Sequence, residues 1–514
     1  MTPETQARKS TSPRPGTAGG GTRASFAHSI ASIASFPEFG GDDDDDDNMS
    51  LASTRLVNRS RRDSIASEFS QGNGAFSDGD NSATVITSLW STMMGSTVLV
   101  MPKMFRDAGL VGAVIALTFM CLLCSYTAVT ITRLGVLHGM TTQEVVNSVP
   151  RVPRMITLMA AVLILIGAGM LFHVYIVGCV LALLGKSEED VLWRCGVAAA
   201  SGLVVFMLTV PRSIKMLFIA SSYGIVIVGF CLVFIIIKSA LQFHNGTCTP
   251  HLPSPYGMES GGFGPTATLM STLTLSFYSH SFVLPLVSQS TRANKIPRNV
   301  FISYVCAGLS YAIPAAIATA AFSDCGTFAK DFVQMFKDPF ADAARFSIIL
   351  LCLIVYPIII SIARGQFVET VFRVDPLEVS RLKHVCSSGW MILLATAVPC
   401  LNVGPTTVAA STGVLGTYWA LLFPCAAYLH TRRAQGTLTK PLIIGHGLII
   451  LLAAMLMIMT VLSVAGVIPA VKPPPTAAPT PTVMPNHTTT AAPRSFELPI
   501  EAAPLTSGMA AALP

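Results

Sequence analysis

Charged residues are scarce in this sequence. Only 12% of its 514 residues are Asp, Glu, Lys or Arg, whereas 52% are hydrophobic. Soluble domains usually carry about 25% charged residues. Because a water-soluble fold of this length could not bury so much apolar surface, the composition predicts a protein whose solvent is the lipid bilayer. The basic residues lie at the ends of apolar runs, so we expect no nucleic-acid partner.

The signatures of several enzyme and pump classes are missing as well. There is no Gly-Xaa-Ser-Xaa-Gly nucleophile elbow, no Gly-rich phosphate loop ending in Lys-Ser or Lys-Thr, and no His-Glu-Xaa-Xaa-His zinc motif. Nothing near the run Asp42–Asp47 fixes a coordination geometry, so this run is typical of a solvated acidic tract. We therefore expect no enzyme, no nucleotide-driven pump, no metal site and no cofactor other than a coupling ion.

Long apolar runs are abundant. A helix needs about 20 such residues to cross a bilayer. Eleven runs of roughly this length lie at residues 84–105, 108–132, 155–184, 193–211, 214–241, 266–290, 299–322, 344–372, 386–402, 405–430 and 442–468. The sequence thus predicts an all-α polytopic membrane domain of eleven transmembrane helices over residues 83–468.

The two terminal segments differ in composition from this domain. Residues 1–82 are rich in Ser, Gly, Arg and Asp, and residues 469–514 are rich in Pro, Thr and Ala. Neither composition supports a packed core, so both segments are predicted to be disordered tails. Because the first tail is polar, we expect no cleavable signal peptide. Whether this tail binds a cytosolic partner is left open.

The loops between the runs differ in charge. Arginine and lysine concentrate in one set of loops, which the positive-inside rule assigns to the cytosol together with the N-terminus. An odd number of spans then places the C-terminus in a lumen or outside the cell. Two glycosylation sequons and two loop cysteines fall on that side, so we predict glycans on Asn245 and Asn486 and a disulfide between Cys248 and Cys325. The membrane itself, lysosomal or vacuolar or plasma, stays undecided.

Two of the apolar runs are poor continuous helices. The first contains WSTMMGSTVLVMP (residues 90–102), in which Gly95 weakens the helix and Pro102 lacks a backbone donor. The sixth contains SFYSHSFVLPL (residues 276–286), in which the polar residues Ser279, His280 and Ser281 are likewise followed by a proline, Pro285. An unpaired peptide group in lipid is costly, so a helix break is expected where it lines a cavity. Close packing of helices is the alternative explanation for such small and polar residues.

The two predicted breaks lie five spans apart. A unit of five spans begins on one side of the membrane and ends on the other, so a second copy of it is inverted. Two inverted five-span repeats that each open with a broken helix form the LeuT-like transporter fold, in which both breaks meet near mid-membrane. There, free N–H groups attract a carboxylate and free carbonyls attract an ammonium group. An α-amino acid carries both groups.

At these residues the chain resembles the amino acid/auxin permease superfamily. Within that superfamily it most resembles the solute carrier 38 group, in particular its lysosomal member. The resemblance covers about residues 83–468. It is carried by WSTMMGSTVLVMPKMFRDAGLVG (90–112), GAGMLFHVYIVG (167–178), LTLSFYSHSFVLPLV (273–287) and VYPIIISIARGQ (355–366). It implies the eleven-span inverted-repeat fold, transport of α-amino acids and a disulfide between the same two outer loops.

Carried over residue by residue, the resemblance implies that the two breaks bind the carboxylate and amine of the substrate. The residues concerned are Thr92, Met93, Met94, Gly95, Ser96 and Thr97 in the first break, and Phe277, Tyr278, Ser279, His280 and Ser281 in the second.

The coupling ion is a separate question. Sodium-coupled relatives carry Thr or Ser just before the Val-Tyr-Pro turn, whereas this sequence has Ile354, and a hydrocarbon cannot replace an oxygen ligand. Ser361 is a substitute ligand one or two turns later, but a proton or simple exchange is favoured over Na+, with His280 as the proton candidate. His173 is better explained as a packing residue, and Arg364 is expected to pair or to snorkel to the headgroups.

The sequence therefore predicts a secondary transporter that moves L-α-amino acids across a membrane by alternating access. The alternative is an amino-acid-sensing transceptor or scaffold with little flux. Turnover separates the two, because a transporter moves many molecules per protein and a sensor binds about one.

Overall fold

The computed structural model describes residues 82–138, 145–146, 151–211, 224–245, 263–287, 295–322, 331–372 and 379–466. All regular structure within these ranges is helical. The predicted tails, the Cys248–Cys325 disulfide and the glycosylation site Asn486 lie outside the described residues. Asn245 is exposed at the end of a helix, but the rest of its sequon is not described.

The helices are labelled here in chain order. They are α1 (Ser82–Met93), α2 (Met101–Ala108), α3 (Leu110–His138), α4 (Arg151–Leu183), α5 (Val191–Thr209), α6 (Gly224–Asn245), α7 (Phe263–Ser276), α8 (His280–Val287), α9 (Ile296–Ala321), α10 (Pro339–Phe372), α11 (Arg381–Cys400), α12 (Pro405–Thr417), α13 (Phe423–Ala434) and α14 (Lys440–Val464).

Eight helical segments of the described chain are long and apolar enough to cross a membrane. They are α3, α4, α5, α6, α9, α10, α14 and the rod that runs from Pro405 to Ala434. The protein is therefore a multi-pass integral membrane protein. Three of the eleven predicted spans are absent from this set. The first and sixth are each divided into two short helices, α1 with α2 and α7 with α8, and the ninth (386–402) corresponds to α11, which is not among the eight.

The rod from α12 to α13 is continuous but not uniform. A π-helical turn, Tyr418–Leu422, joins its two α-helical halves. Such turns are rare and frequently accompany functional sites. This one places Trp419 in the core, where its indole N–H donates to the main-chain oxygen of Thr157 in α4 at 3.0 Å.

Small residues let the central helices approach closely. A Cβ atom on Gly413 of α12 would lie 2.0 Å from the main-chain oxygen of Ser271 in α7. A Cβ atom on Gly169 of α4 would lie 2.7 Å from the ring of Tyr356 in α10. Since lipid tails are as apolar as side chains, such close packing drives helix association within the bilayer.

The outer helices expose apolar side chains. Along α14, Leu451 is 67% and Ile444 is 63% exposed, and only four of its residues, His446, Ala453, Leu456 and Thr460, are buried. In water this surface would be unstable, whereas against lipid chains it costs nothing. Of the two alternatives expected for Arg364, pairing or snorkelling to the headgroups, the structure excludes the second. Arg364 does not snorkel but is buried, donating to the Thr209 main-chain oxygen (3.2 Å) and the Ser388 hydroxyl (2.8 Å).

Candidate functional site

The first helix break lies at Gly95. Helix α1 ends at Met93, Gly95 is extended (φ −123°, ψ −167°), and a 3-10 turn, Ser96–Leu99, precedes α2. The interruption leaves the carbonyl of Met93 without its helical partner. The hydroxyl of Tyr311 in α9 replaces that partner by donating to the Met93 oxygen at 2.6 Å, and it accepts a hydrogen bond from Thr97 at 3.0 Å.

The second break has a similar construction. Helix α7 ends at Ser276 and α8 begins at His280. The hydroxyl of Tyr304, also in α9, donates to the main-chain oxygen of Phe277 at 3.0 Å and accepts from the hydroxyl of Ser279 at 2.9 Å. Each break is therefore held open by one buried tyrosine, which satisfies a carbonyl that the interrupted helix cannot.

A small cavity of about 80 Å³ lies between the two breaks. It brings together part of the set of residues that the sequence predicts to bind substrate. From the first break it is lined by Thr92, Met93, Gly95, Ser96 and Thr97, and from the second by Ser276 and Tyr278. Its volume is far below the 300–1,000 Å³ or so of typical ligand pockets, so an amino acid can enter only when the surrounding helices move apart.

The hydroxyl of Ser96 is the most notable polar group in this cavity. Ser96 is buried and its Oγ has no hydrogen-bond partner among the described residues. The hydroxyls of Thr92 and Thr97, by contrast, already donate to the Leu89 oxygen and to Tyr311. A buried hydroxyl without a partner is unfavourable unless something binds to it. The Ser96 hydroxyl is therefore placed to donate a hydrogen bond to an oxygen of a bound ligand.

The other predicted residues do not line the cavity. The ring of Phe277 packs against both Tyr304 and Tyr311, with centroids 5.9 Å apart in each case. The hydroxyl of Ser281 is hydrogen-bonded to the Tyr278 hydroxyl at 2.5 Å. Met94, Ser279 and His280 are also buried. These side chains support the breaks, and their main-chain groups remain predictions as ligands.

The two candidate coupling residues lie at separate places. His280 begins α8, and its Nε2 lies 3.0 Å from the hydroxyl of Thr127 in α3. Ser361 lies in α10, buried, with an Oγ that has no partner among the described residues. His173 is buried against α5, where its Nε2 contacts the Ala198 oxygen (3.0 Å) and the Ser201 hydroxyl (3.2 Å), as expected for a packing histidine.

Several residues that complete the site have no signal in the local sequence. Phe172 and Leu165 of α4 and Ile359 of α10 form the apolar wall of the cavity. Among the described residues, a Cβ atom on Gly95 would meet only Phe172, at 3.9 Å. For the two tyrosines that support the breaks, the sequence offers one clue, their spacing. Tyr304 and Tyr311 are seven residues apart and therefore share one face of α9.

Membrane transporters use bundles in which interrupted helices enclose a small, partly polar cavity. A family model described as "transmembrane amino acid transporter protein" matches residues 79–469. The chain therefore belongs to the transmembrane amino acid transporter family, and it is a transporter rather than an enzyme.

The fold is shared with solved structures of other proteins. One of them is the crystal structure of the manganese transporter of Eremococcus coleocola in complex with an aromatic bis-isothiourea substituted compound. The two chains are 13% identical and superpose with a TM-score of 0.50, over 77% of this chain and 91% of the other. No curated protein matches the sequence.

Proposed function

We propose that the protein moves L-α-amino acids across its membrane by alternating access, with the cavity between the two helix breaks as the substrate site. One observation carries this proposal. The cavity joins the unwound backbone at Gly95 to the second break at Tyr278, and it contains the Ser96 hydroxyl, which has no hydrogen-bond partner in the described part of the chain. Main-chain N–H groups and a hydroxyl on one side suit a carboxylate, and helix carbonyls suit an ammonium group.

The remaining topology belongs to the same proposal. We place eleven spans in two inverted five-span repeats plus one, with the N-terminus in the cytosol and the C-terminus in the lumen or outside. The eight long helices, the two interrupted segments and α11 supply these spans. A proton or an exchanged amino acid supplies the driving force in preference to Na+, because Ile354 offers no oxygen ligand.

Substitutions at Gly95 test the site. In Gly95→Ala the new Cβ makes an ordinary contact with Phe172, so folding and some transport should survive. In Gly95→Leu the longer side chain fills the cavity, so saturable uptake of labelled L-amino acids into proteoliposomes should fall to background. The matched control is Gly229→Leu in α6, where a Cβ meets no atom of the described chain within 4 Å.

The outcomes separate the candidate functions. Normal uptake by a folded Gly95→Leu variant would show that substrate binds elsewhere. Wild-type protein that binds about one amino acid per molecule and shows no turnover would favour the transceptor or scaffold. Competition by all twenty amino acids against one labelled substrate would then define the side-chain class.

A further inference from the structure

A second cavity, of about 40 Å³, lies at the end of the bundle that holds the α4–α5 connection. Its wall includes Tyr175 and Gly178 of α4, Glu188 of that connection, Asp331 and Gln334 between α9 and α10, and Asn402 between α11 and α12. Three separate segments of chain therefore meet here. The volume exceeds the 10–15 Å³ or so that one water needs.

Asp331 is the buried acid of this cavity. It is 1% exposed and precedes the 3-10 turn Phe332–Met335, where its Oδ1 accepts a hydrogen bond from the Val333 main-chain N–H at 3.2 Å. Its Oδ2 has no hydrogen-bond partner among the described residues, and neither has the hydroxyl of Tyr175 on the facing helix. A carboxylate oxygen buried in this way is costly, whereas a protonated carboxyl can donate to a water or to a neighbouring oxygen.

Charged side chains of both signs surround Asp331. Glu188, whose carboxylate accepts from Gln334 at 3.1 Å, faces it as a like charge, and Arg345 of α10 faces it as an opposite one. Arg345 forms an ion pair with Asp342 (2.5 Å) and donates hydrogen bonds to the main-chain oxygens of Val333 and Phe336. Arg194 of α5 lines the cavity and also donates to main-chain oxygens. The other titratable groups that interact electrostatically with Asp331 are Tyr175 and Cys179 of α4, Cys231 of α6 and Cys352 of α10.

The protonation equilibrium of Asp331 follows from this setting. Burial, and secondarily the charge of Glu188, raise the pKa of Asp331 to about 7, against the lowering effects of the Val333 N–H and Arg345. A carboxyl with such a pKa changes its charge in the physiological range, which an ordinary Asp does not.

Helix α4 links this cavity to the candidate substrate site. Phe172, which faces Gly95 across the first cavity, and Tyr175, which lines the second, are three residues apart and lie on the same face of the helix. Displacement of α4 therefore acts on both cavities together. The outer wall of the second cavity includes half-buried Glu188 and exposed Asn402, so water can reach it from the membrane surface.

We propose that Asp331 is a proton-binding site that couples transport to a proton gradient. A hydronium ion from the water at the α4–α5 connection gives its proton to Oδ2 and leaves as water, which removes the buried negative charge. The loss of that charge changes the electrostatic interactions with Glu188 and Arg345. It thereby shifts the packing of α4 against Asp331 and the 3-10 turn Phe332–Met335. The coupling role depends on the proposed transport function, whereas the proton site itself does not.

Difference infrared spectroscopy of the full-length protein in lipid nanodiscs tests the site without any transport. We expect a carboxyl C=O band that titrates near pH 7 in the wild type and disappears in Asp331→Asn. Glu188→Gln should move the midpoint to lower pH, because it removes the like charge that raises the Asp331 pKa. The control Glu189→Gln, at an exposed neighbouring carboxylate, should leave the band unchanged.

Persistence of the band in Asp331→Asn, its absence from the wild type, or an unchanged midpoint in Glu188→Gln would each overturn the proposal. If Asp331→Asn does not fold, the shift of the titration midpoint in Glu188→Gln is by itself the test of the proton site.

Transport assays then separate the coupling role from the function. Asp331→Asn should retain amino acid exchange at equal pH on both sides while losing accumulation driven by a pH gradient. Retained pH-driven accumulation in Asp331→Asn refutes the coupling. Absence of any transport by the wild type refutes the proposed function and leaves the infrared result standing.

Discussion

Tyr304 and Tyr311 lie on one face of α9, about two helical turns apart, and each donates its hydroxyl proton to a carbonyl at one of the two helix breaks. One rigid helix thus sets the distance between the breaks. Phe277, in contact with both rings, fills the space between them. Any movement of α9 consequently acts on both sides of the candidate substrate site at once.

Tyr311→Phe should destabilise the protein. The substitution leaves the buried Met93 carbonyl without a donor and removes the acceptor of Thr97, which costs about 1–3 kcal/mol. Thermal unfolding in detergent should show a lowered Tm, and Tyr304→Phe should act in the same direction. Tyr356→Phe is the matched control, because the Tyr356 hydroxyl is buried without a partner among the described residues. Equal Tm values for all three variants would show that the tyrosines do not support the breaks.

Gly413→Ala should disrupt the contact between α7 and α12. The new Cβ would lie 2.0 Å from the Ser271 main-chain oxygen, and backbone cannot move aside as a side chain can. Overpacking of this kind costs typically 1–3 kcal/mol or more. The yield of monodisperse protein and its Tm should both fall. Gly445→Ala, on α14, should match the wild type, because its Cβ has no atom of the described residues within 4 Å. An undisturbed Gly413→Ala would mean that α7 and α12 are further apart.

Ser96→Ala should weaken substrate binding without destabilising the fold. The Ser96 hydroxyl has no protein partner to lose among the described residues, and a substrate carboxylate would use it as a donor. One hydrogen bond to a charged group contributes about 1.5–3 kcal/mol, which corresponds to a rise in KM of roughly ten- to a hundredfold. Ser125→Ala, where the hydroxyl bonds within its own helix, is the control. A KM unchanged by Ser96→Ala would remove Ser96 from the binding site.

The sequence reveals the breaks themselves but not what supports them. Gly95, Pro102 and the hydroxyl residues weaken a helix locally, so the interruption can be read from neighbours in the chain. The tyrosine that satisfies the Met93 carbonyl is more than two hundred residues away, at position 311. Its role depends on how helices pack, and packing of lipid-embedded helices leaves little periodic signal because both faces are apolar.

The same limit applies to Asp331 and to the π-helical turn. In the sequence Asp331 is one of several acids in a loop, and nothing local distinguishes it from Asp338, which pairs with Lys238 at 2.6 Å. What makes Asp331 unusual is its burial beside α4, which the local sequence does not show. The turn Tyr418–Leu422 likewise follows from the way Trp419 enters the core against Thr157, a contact between distant parts of the chain.

Replacement of Na+ by choline should change amino acid uptake little. Ile354 offers no ligand oxygen for Na+, and Ser361 alone supplies at most one of the six or so that a hard cation takes. Uptake into proteoliposomes should instead respond to a pH gradient of either direction. A large loss of uptake in choline would show that another part of the chain supplies a sodium site.

The stability of the protein should depend on pH through Asp331. Its pKa of about 7 in the folded state lies above the value of 3.8 that it has without burial. Between these values the folded state binds more protons than the unfolded state, so this residue's contribution to stability decreases as pH rises from about 4 to about 7. Asp331→Asn stays neutral at every pH. The variant should therefore have a higher Tm than the wild type at pH 8, and the difference should shrink at pH 5. A difference in Tm that stays constant between these two pH values would contradict the raised pKa of Asp331. Loss of the pH dependence of Tm in Glu189→Gln would show that Glu189, and not Asp331, causes it.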